Sequence, residues 1–347
     1  MSIEKLIDFA RSKNASDIHL TVGAPTAIRI NGKLMQFSGM DEPLVNKTIL
    51  SMLSAEQERR LGDGDDIDFS FSTESGARQR VNVFRQSGKL AASIRLLNET
   101  IPSFSDIGLP NYVTEMLTAL KGLILVTGAT GSGKSTTLAT MVDYINANRQ
   151  CHILTIEDPV EYRYTPKAAT IRQREIGTDV KGFSYALRSA LRENPDVILV
   201  GEMRDYETIK LALTAAETGH LVLATLHTTG AIQTINRIID AFPNEEQNQV
   251  RMQLSFSLNG IISQCLMPMP EDKGRVAAFE ILRNTEAAAN LIRSEKVFQL
   301  RTVMQAGTKA GMVTLNESLK RLHLEGKVSK ETAMEYTDDK AELASLI

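Results

Sequence analysis

The chain of 347 residues holds two cysteines, Cys151 and Cys265, and no tryptophan. The cysteines form no CxxC pair and no metal-ligand spacing. They exclude a disulfide framework and are expected to be buried free thiols in a reducing compartment. No uninterrupted apolar run reaches the ~18 residues that a membrane-spanning helix needs. The N-terminal stretch MSIEKLIDFARSK lacks a signal-peptide pattern: Ile3, Leu6, Ile7 and Ala10 recur at helical spacing among charges. A cytoplasmic protein is expected. Excess charge is missing too, since 39 Lys+Arg against 42 Asp+Glu leave a net −3. There is no basic stripe, and no stretch interleaves aromatic with basic residues, which disfavours a nucleic-acid motor and predicts no direct nucleic-acid contact. What is present, 42% hydrophobic and 23% charged residues, is ordinary for a globular chain of two or three domains.

The first hundred residues read as a small α+β domain (1–100). A short helix precedes SDIHLTV. AIRINGKLM then sets Asn31-Gly32 between alternating apolar positions, a strong hairpin signal. A charged helical stretch follows over 46–61. DIDFSFSTESGARQRVNVFRQSGKLAASIRLL reads as three alternating strands, with Ile67, Phe69 and Phe71 on one face and Val81 with Val83 on another. This predicts an antiparallel sheet with helices on one side. ETIPSFSDIGLP, with two prolines, reads as part of a linker (101–115). Beyond it the pattern changes. LILVTG, HILTIED, DVILVGE and HLVLATLH are continuous apolar runs alternating with helices. Strands apolar on both faces predict a parallel, doubly wound sheet, here over 116–285. The remainder, 286–347, reads as mostly helical. The fold class is α/β, an α+β domain followed by a P-loop domain with C-terminal helices.

GATGSGKST, Gly128 to Thr136, matches G-x-x-x-x-G-K-[ST] without departure, between an apolar strand and a helix. Gly128, Gly131 and Gly133, with Thr130 and Ser132, let backbone N–H groups turn inward around phosphates. Lys134 brings a point charge to the β- and γ-phosphates, Ser135 offers a hydroxyl to Mg²⁺, and the helix start at Ser135 and Thr136 adds partial positive charge. The chain is expected to bind ATP with Mg²⁺. Hydrolysis further needs a carboxylate at the C-terminal edge of the sheet, where the phosphates lie. Two strands end that way, one in Glu157 and Asp158 with Glu161 after Pro159, the other in Gly201 and Glu202. The Asp that usually closes a Walker B strand is absent. Glu157 and Glu202 are jointly assigned to magnesium and the attacking water, and either could be the base.

Two of the five histidines bracket one apolar run, GHLVLATLHTTGA. Seven steps of about 3.3 Å separate His220 from His227 by roughly 23 Å in a strand, so both cannot touch one phosphate. His227, at the carboxyl end, lies on the ligand edge, where it could donate a hydrogen bond to the γ-phosphate or to a carboxylate. His220 would stand at the opposite edge, where geometry alone favours a helix-end cap. Neither has the partners of a zinc site.

Taken together, GATGSGKST, ILTIEDPVE, ALRSALRENPDVILVGEMRD and AAETGHLVLATLHTTGAIQTINRIIDAFP resemble the Walker A, Asp box, Walker B and His box of the secretion ATPases. That family drives type II secretion, type IV secretion and type IV pili. The resemblance runs from ASDIHLTVG at Ala15 to the C-terminal helices and points to the pilus-retraction branch. It implies a homohexamer of subunits that each pair a PAS-like N-terminal domain with a RecA-like ATPase domain. Nucleotide would sit between the two, with Arg80 in RVNVF and Arg95 in SIRLL helping to reach it. It also implies a functional role for His220 as well as His227, an inner-membrane pilus platform protein as partner, and membrane contact only through partners at the pilus base. One element departs from the pattern. Where the retraction branch has AIRNLIRE, this chain has AAANLIRSE, keeping Asn290, Leu291, Ile292 and Arg293 but losing an Ile, an Arg and the Glu after Arg293. Pilus-extension and type II secretion ATPases are the rival within the family. They carry a tetracysteine zinc module and an additional N-terminal domain, against two unpaired cysteines and a P-loop 128 residues in.

Overall fold

The computed structural model describes residues 2–30, 32–37, 40–97 and 100–347. The chain divides into two compact units, Met1–Thr100 with Pro159–Arg163, and Ile101–Asp158 with Tyr164–Ile347. The short segment after Asp158 therefore leaves the second unit and belongs to the first.

The first unit opens with α1 (Ile3–Ser12), whose N-cap Ser2 accepts from the Lys5 N–H and whose Ile3, Leu6, Ile7 and Ala10 are buried. Strands β1 (Ala15–Thr21), β2 (Thr26–Ile30) and β3 (Lys33–Phe37) follow, then α2 (Glu42–Leu50), α3 (Ala55–Gly62), β4 (Ile67–Ser72), β5 (Arg78–Gln86) and β6 (Lys89–Leu96). Among the described residues these strands form one antiparallel sheet in the order β3-β2-β1-β6-β5-β4. Ile30 pairs with Lys33, as a two-residue hairpin requires, and Gly32 has φ +80°. The other turn residue, Asn31, lies outside the described residues, as does Glu99 at the start of the expected linker. The helix expected over 46–61 is two helices. The first ends at Leu50 with Ser51 as its C-cap, and Ser54 caps the second: its hydroxyl accepts from the Gln57 N–H while the Gln57 side chain accepts from the Ser54 N–H. That reciprocal pair satisfies two donors at a helix start and overrides the continuous charge pattern. One apolar core joins the helices to Ile18, Leu20, Val81, Val83 and Ile94.

The second unit begins with a segment that contributes Phe104, Leu109 and Val113 to its core. Thus much of what reads as a linker is packed. Its elements are α4 (Val113–Leu117), β7 (Gly122–Thr127), α5 (Lys134–Asn148), β8 (His152–Glu157), β9 (Thr170–Glu175), α6 (Phe183–Ala190), β10 (Val197–Val200), α7 (Tyr206–Glu217) and β11 (Leu221–Leu226). They continue with α8 (Ala231–Asp240), α9 (Asn244–Ser257), β12 (Leu258–Pro268) and β13 (Arg275–Arg283). The chain closes with α10 (Glu286–Arg293), α11 (Leu300–Ala306), α12 (Leu315–Leu324), α13 (Lys330–Tyr336) and α14 (Lys340–Leu346). The sheet order is β13-β12-β7-β11-β10-β8-β9, parallel except for the antiparallel β12–β13 pair. Along β7 the side chains alternate between two cores. Leu123 and Leu125 join α6 to α9, while Ile124 and Val126 join α4 and α5. The four expected strands are β7, β8, β10 and β11, and their two-sided burial is the reason they read as unbroken apolar runs. Among the described residues no helix is long and apolar enough to cross a membrane.

Candidate active site

β7 delivers the chain to the phosphate loop at its carboxyl end. Gly128 takes φ +144°, and a side chain there would meet the Gln264 carbonyl at 2.3 Å and Ser132 Oγ at 2.6 Å. Gly133 takes the left-handed region (φ +92°) as N-cap of α5 and offers no side chain to the free N–H groups of the first turn. A helix start capped this way leaves those donors, with the positive end of the helix dipole, available to an anion. Lys134, the first residue of α5, is 9% exposed. Its ammonium donates to the carbonyls of Gly128 (2.8 Å) and Ala129 (2.9 Å), holding the charge at the mouth of the loop. Gln264 of β12 braces the loop from behind: its amide donates to the Ser132 carbonyl (2.6 Å) and its oxygen accepts from Thr137 Oγ1 (2.8 Å). Ser132 Oγ is buried with no hydrogen-bond partner among the described residues.

His227 follows directly after β11, on the same edge. Its Nδ1 lies 3.5 Å from the Lys134 ammonium and its Nε2 3.1 Å from Glu202 Oε2. An ammonium can only donate, so Nδ1 accepts and Nε2–H is the atom that donates to the carboxylate. The other Glu202 oxygen is paired with the Arg204 guanidinium. Arg204 has no part in the motif reading, although its place two residues after Glu202 was a usable signal. Gly201 explains the missing Walker B Asp. Its N–H donates to the Ile156 carbonyl (2.8 Å), and a Cβ there would stand 3.1 Å from that carbonyl and 3.3 Å from Glu157 Cα. A side-chain-free residue lets the ends of β10 and β8 close up, bringing Glu202 and Glu157 to neighbouring positions. Glu157 accepts from Thr155 Oγ1 (2.6 Å) and Gln173 Nε2 (3.3 Å).

Within this unit the structure thus joins Lys134, His227 and Glu202 in one line of contacts, with Glu157 on the adjacent strand end. Ser135 and Thr136 follow Lys134 in the first turn of α5. His220 is at the opposite edge of the sheet. Its Nδ1–H donates to the Ala215 carbonyl (3.0 Å), as does its backbone N–H (3.1 Å), so it closes the end of α7. Arg80 and Arg95 belong to the first unit, directly opposite one another on β5 and β6. Arg80 pairs with Asp68 (2.6 Å), and Arg95 with Asp17 (3.2 Å).

These residues fit a nucleoside triphosphate. A glycine loop enters an uncapped helix start, one buried cation stands at its mouth, and two carboxylates close the edge. The donors available to a cation are oxygens, from Ser135, Glu157 and Glu202, a set suited to Mg²⁺, which takes its other ligands from phosphate and water. Fold and site define a P-loop ATPase. The family model described as "Type II/IV secretion system protein" matches residues 1–273, and the chain belongs to that family of ATPases. It is 46% identical to the type IV pilus retractation ATPase PilT of Pseudomonas aeruginosa, over 96% of this chain and 98% of that one. A twitching motility protein of Neisseria gonorrhoeae is also 46% identical, over 88% of this chain and 82% of its own length. The crystal structure of the pilus retraction motor PilT with bound ADP superposes with a TM-score of 0.92 at 48% identity, covering 99% of both chains.

Proposed function

We propose that this chain is the motor ATPase that retracts a type IV pilus, converting ATP hydrolysis into domain motion that withdraws pilin subunits. The observation that carries the ATPase mechanism is the line of contacts from Lys134 through His227 to Glu202 on one sheet edge. The retraction reading is supported by similarity along nearly the whole of both chains to a retraction ATPase.

The α5 start and Lys134 bind the β- and γ-phosphates. Glu202 and Glu157 orient the attacking water and hold the bound cation, which neutralises phosphate charge when present. His227 is placed to exchange its contact with Lys134 for one with the γ-phosphate while Nε2–H stays on Glu202, so loss of that phosphate is felt at the carboxylate. Arg204 pairs with one Glu202 oxygen and orients the carboxylate, which as general base would accept a proton from water. The first unit is read as PAS-like and the second as RecA-like, six such chains forming a ring. Arg80 and Arg95 would reach nucleotide and couple its hydrolysis to domain movement. The role that the resemblance implies for His220 is exercised from outside the Lys134–His227–Glu202 cluster. The ring would act on an inner-membrane platform protein at the cytoplasmic base of the pilus.

Counting pili by electron microscopy in a deletion strain tests the direction of force. Excess unretracted pili are expected, whereas bald cells would assign extension instead. ATPase assays with and without DNA separate both from a nucleic-acid motor, which DNA would stimulate.

A further inference from the structure

β8 and β9 run parallel in a register that sets Thr155 opposite Gln173 and Glu157 opposite Glu175. Alternate strand residues share a face, so these four side chains lie on one side of the sheet. It is the side where Ile153 and Leu199 join the core of α4 and α5. Thr155 is fully buried there. A hydroxyl in such a place requires a partner, and this one has a carboxylate.

Two donors converge on a single oxygen. Thr155 Oγ1 donates to Glu157 Oε1 (2.6 Å), and Gln173 Nε2 donates to the same atom (3.3 Å). At its other end Gln173 Oε1 accepts from the Tyr164 N–H (3.2 Å). A backbone N–H can only donate, so that contact settles which way the amide points and turns its NH₂ toward Glu157. Glu175, directly across the ladder from Glu157, is a like charge, and facing carboxylates repel. Its Oε1 accepts from Thr178 Oγ1 (3.3 Å). Hydrogen bonds to an ionised oxygen are among the stronger ones, and the two on Glu157 offset the repulsion and restrict how the carboxyl group can turn. The chain leaves the second unit after Asp158, the residue following Glu157, and returns to it at Tyr164. Gln173 therefore bridges the two ends of the Pro159–Arg163 segment.

We infer that Thr155 and Gln173 are positioning residues for Glu157. They hold its carboxylate in the orientation that hydrolysis needs, and Gln173 ties that orientation to the point where the chain re-enters the second unit. The inference rests on the reading of Glu157 as a carboxylate that serves the attacking water and the cation.

The test uses the full chain with Thr155→Val, Thr155→Ser, Gln173→Leu and Glu157→Gln, and with the first and third changes repeated in the Glu157→Gln background. Valine keeps the branched shape of threonine and lacks the hydroxyl. The readouts are kcat and KM for ATP, ADP affinity by calorimetric titration, and melting temperature. A carboxylate displaced by a fraction of an ångström lowers kcat by about tenfold in Thr155→Val and in Gln173→Leu, while KM and ADP affinity stay within about twofold. Thr155→Ser, which restores the donor, returns kcat to within about threefold of the parent. In the Glu157→Gln background, where turnover is already low, Thr155→Val and Gln173→Leu each cost less than about twofold more, because residues that act as a unit are not additive. Parental kcat in Thr155→Val and Gln173→Leu, beside a loss in Glu157→Gln, overturns the inference alone. A full further tenfold loss in the Glu157→Gln background also overturns it, since the two side chains then act on something else. So does a joint fall of kcat, ADP affinity and melting temperature, which assigns them to fold maintenance, or a Thr155→Ser variant as slow as Thr155→Val. Parental turnover in Glu157→Gln sinks the reading of Glu157 itself, and the inference with it.

Discussion

Replacing Gln264 by leucine keeps the side-chain volume and removes both hydrogen bonds behind the phosphate loop, so little cavity cost is added. Gln264 is 4% exposed. Its loss leaves the Ser132 carbonyl and the Thr137 hydroxyl facing an apolar side chain, and each buried unpaired group costs about 1–3 kcal/mol. A total near 3 kcal/mol lowers the melting temperature of a unit this size by about 6–12 °C. Binding suffers separately. The loop must present its N–H groups in one arrangement, and if about 1.4 kcal/mol of ordering is transferred to the binding step, the ADP Kd rises about tenfold. ADP is the right probe because it occupies the loop without drawing on the hydrolytic carboxylates. Calorimetric titration and thermal unfolding of Gln264→Leu measure both numbers. A variant that melts with the parent and binds ADP with parental affinity would refute the bracing role of β12.

Lys134→Ala is expected to abolish nucleotide binding or turnover with the melting temperature little changed, checked by fluorescent-nucleotide titration beside circular dichroism. Glu202→Gln and Glu157→Gln should each retain ATP binding and lose about 10²-fold or more in turnover; parental rates in both remove these carboxylates from the mechanism. Arg95 is an exposed strand residue whose truncation alone should change stability by under ~0.5 kcal/mol. If it meets the γ-phosphate in the assembled protein, Arg95→Ala loses turnover by up to about 10³-fold, with ATP-analogue affinity falling more than ADP affinity. Burial pushes the Cys265 thiol up to about 11. A raised thiol pKa keeps the proton on in the folded protein at pH 8, so iodoacetamide should modify Cys265 far more slowly in the native chain than after denaturation, and equal rates would show the site to be open.

Much of this architecture is legible in the sequence where one physical signal dominates. The runs at β7, β8, β10 and β11 are apolar on both faces and can hardly be anything but central strands. The phosphate loop announces itself because its glycines answer to steric demands that few other arrangements impose. Placing His227 and Glu202 on one edge needs only strand direction, and their 3.1 Å contact follows from that. The misses have equally physical reasons. β9 (TIRQRE) is a polar edge strand with no hydrophobic signature. β12 continues from α9 without a break, Ser257 to Leu258, and carries Ser263 and Gln264 in its middle. The burial of those two polar side chains is decided by loops more than a hundred and about thirty residues away in the chain, so no local pattern marks them. The division of 46–61 into two helices lies between Ser51, which caps the end of the first, and Ser54, which caps the start of the second, and both read as part of a charged run.

The order of strands has a consequence for how the protein comes to exist. Along the sheet, β7, β11, β10 and β8 are neighbours, and they bring the phosphate loop, His227, Glu202 and Glu157 in that spatial order. Along the chain β8 and β10 come before β11, so the Lys134–His227 contact joins residues 93 apart and requires β11 to be in place between β7 and β10. Such non-local closure makes for slow folding, with unpaired strand edges exposed until it is complete. Nucleotide that requires the completed edge recognises only chains that have finished. At a hundred times its Kd, a ligand of that kind adds about 2.7 kcal/mol to the finished fold. Cellular ATP would then act as a check on maturation of the chain before it is ever a fuel.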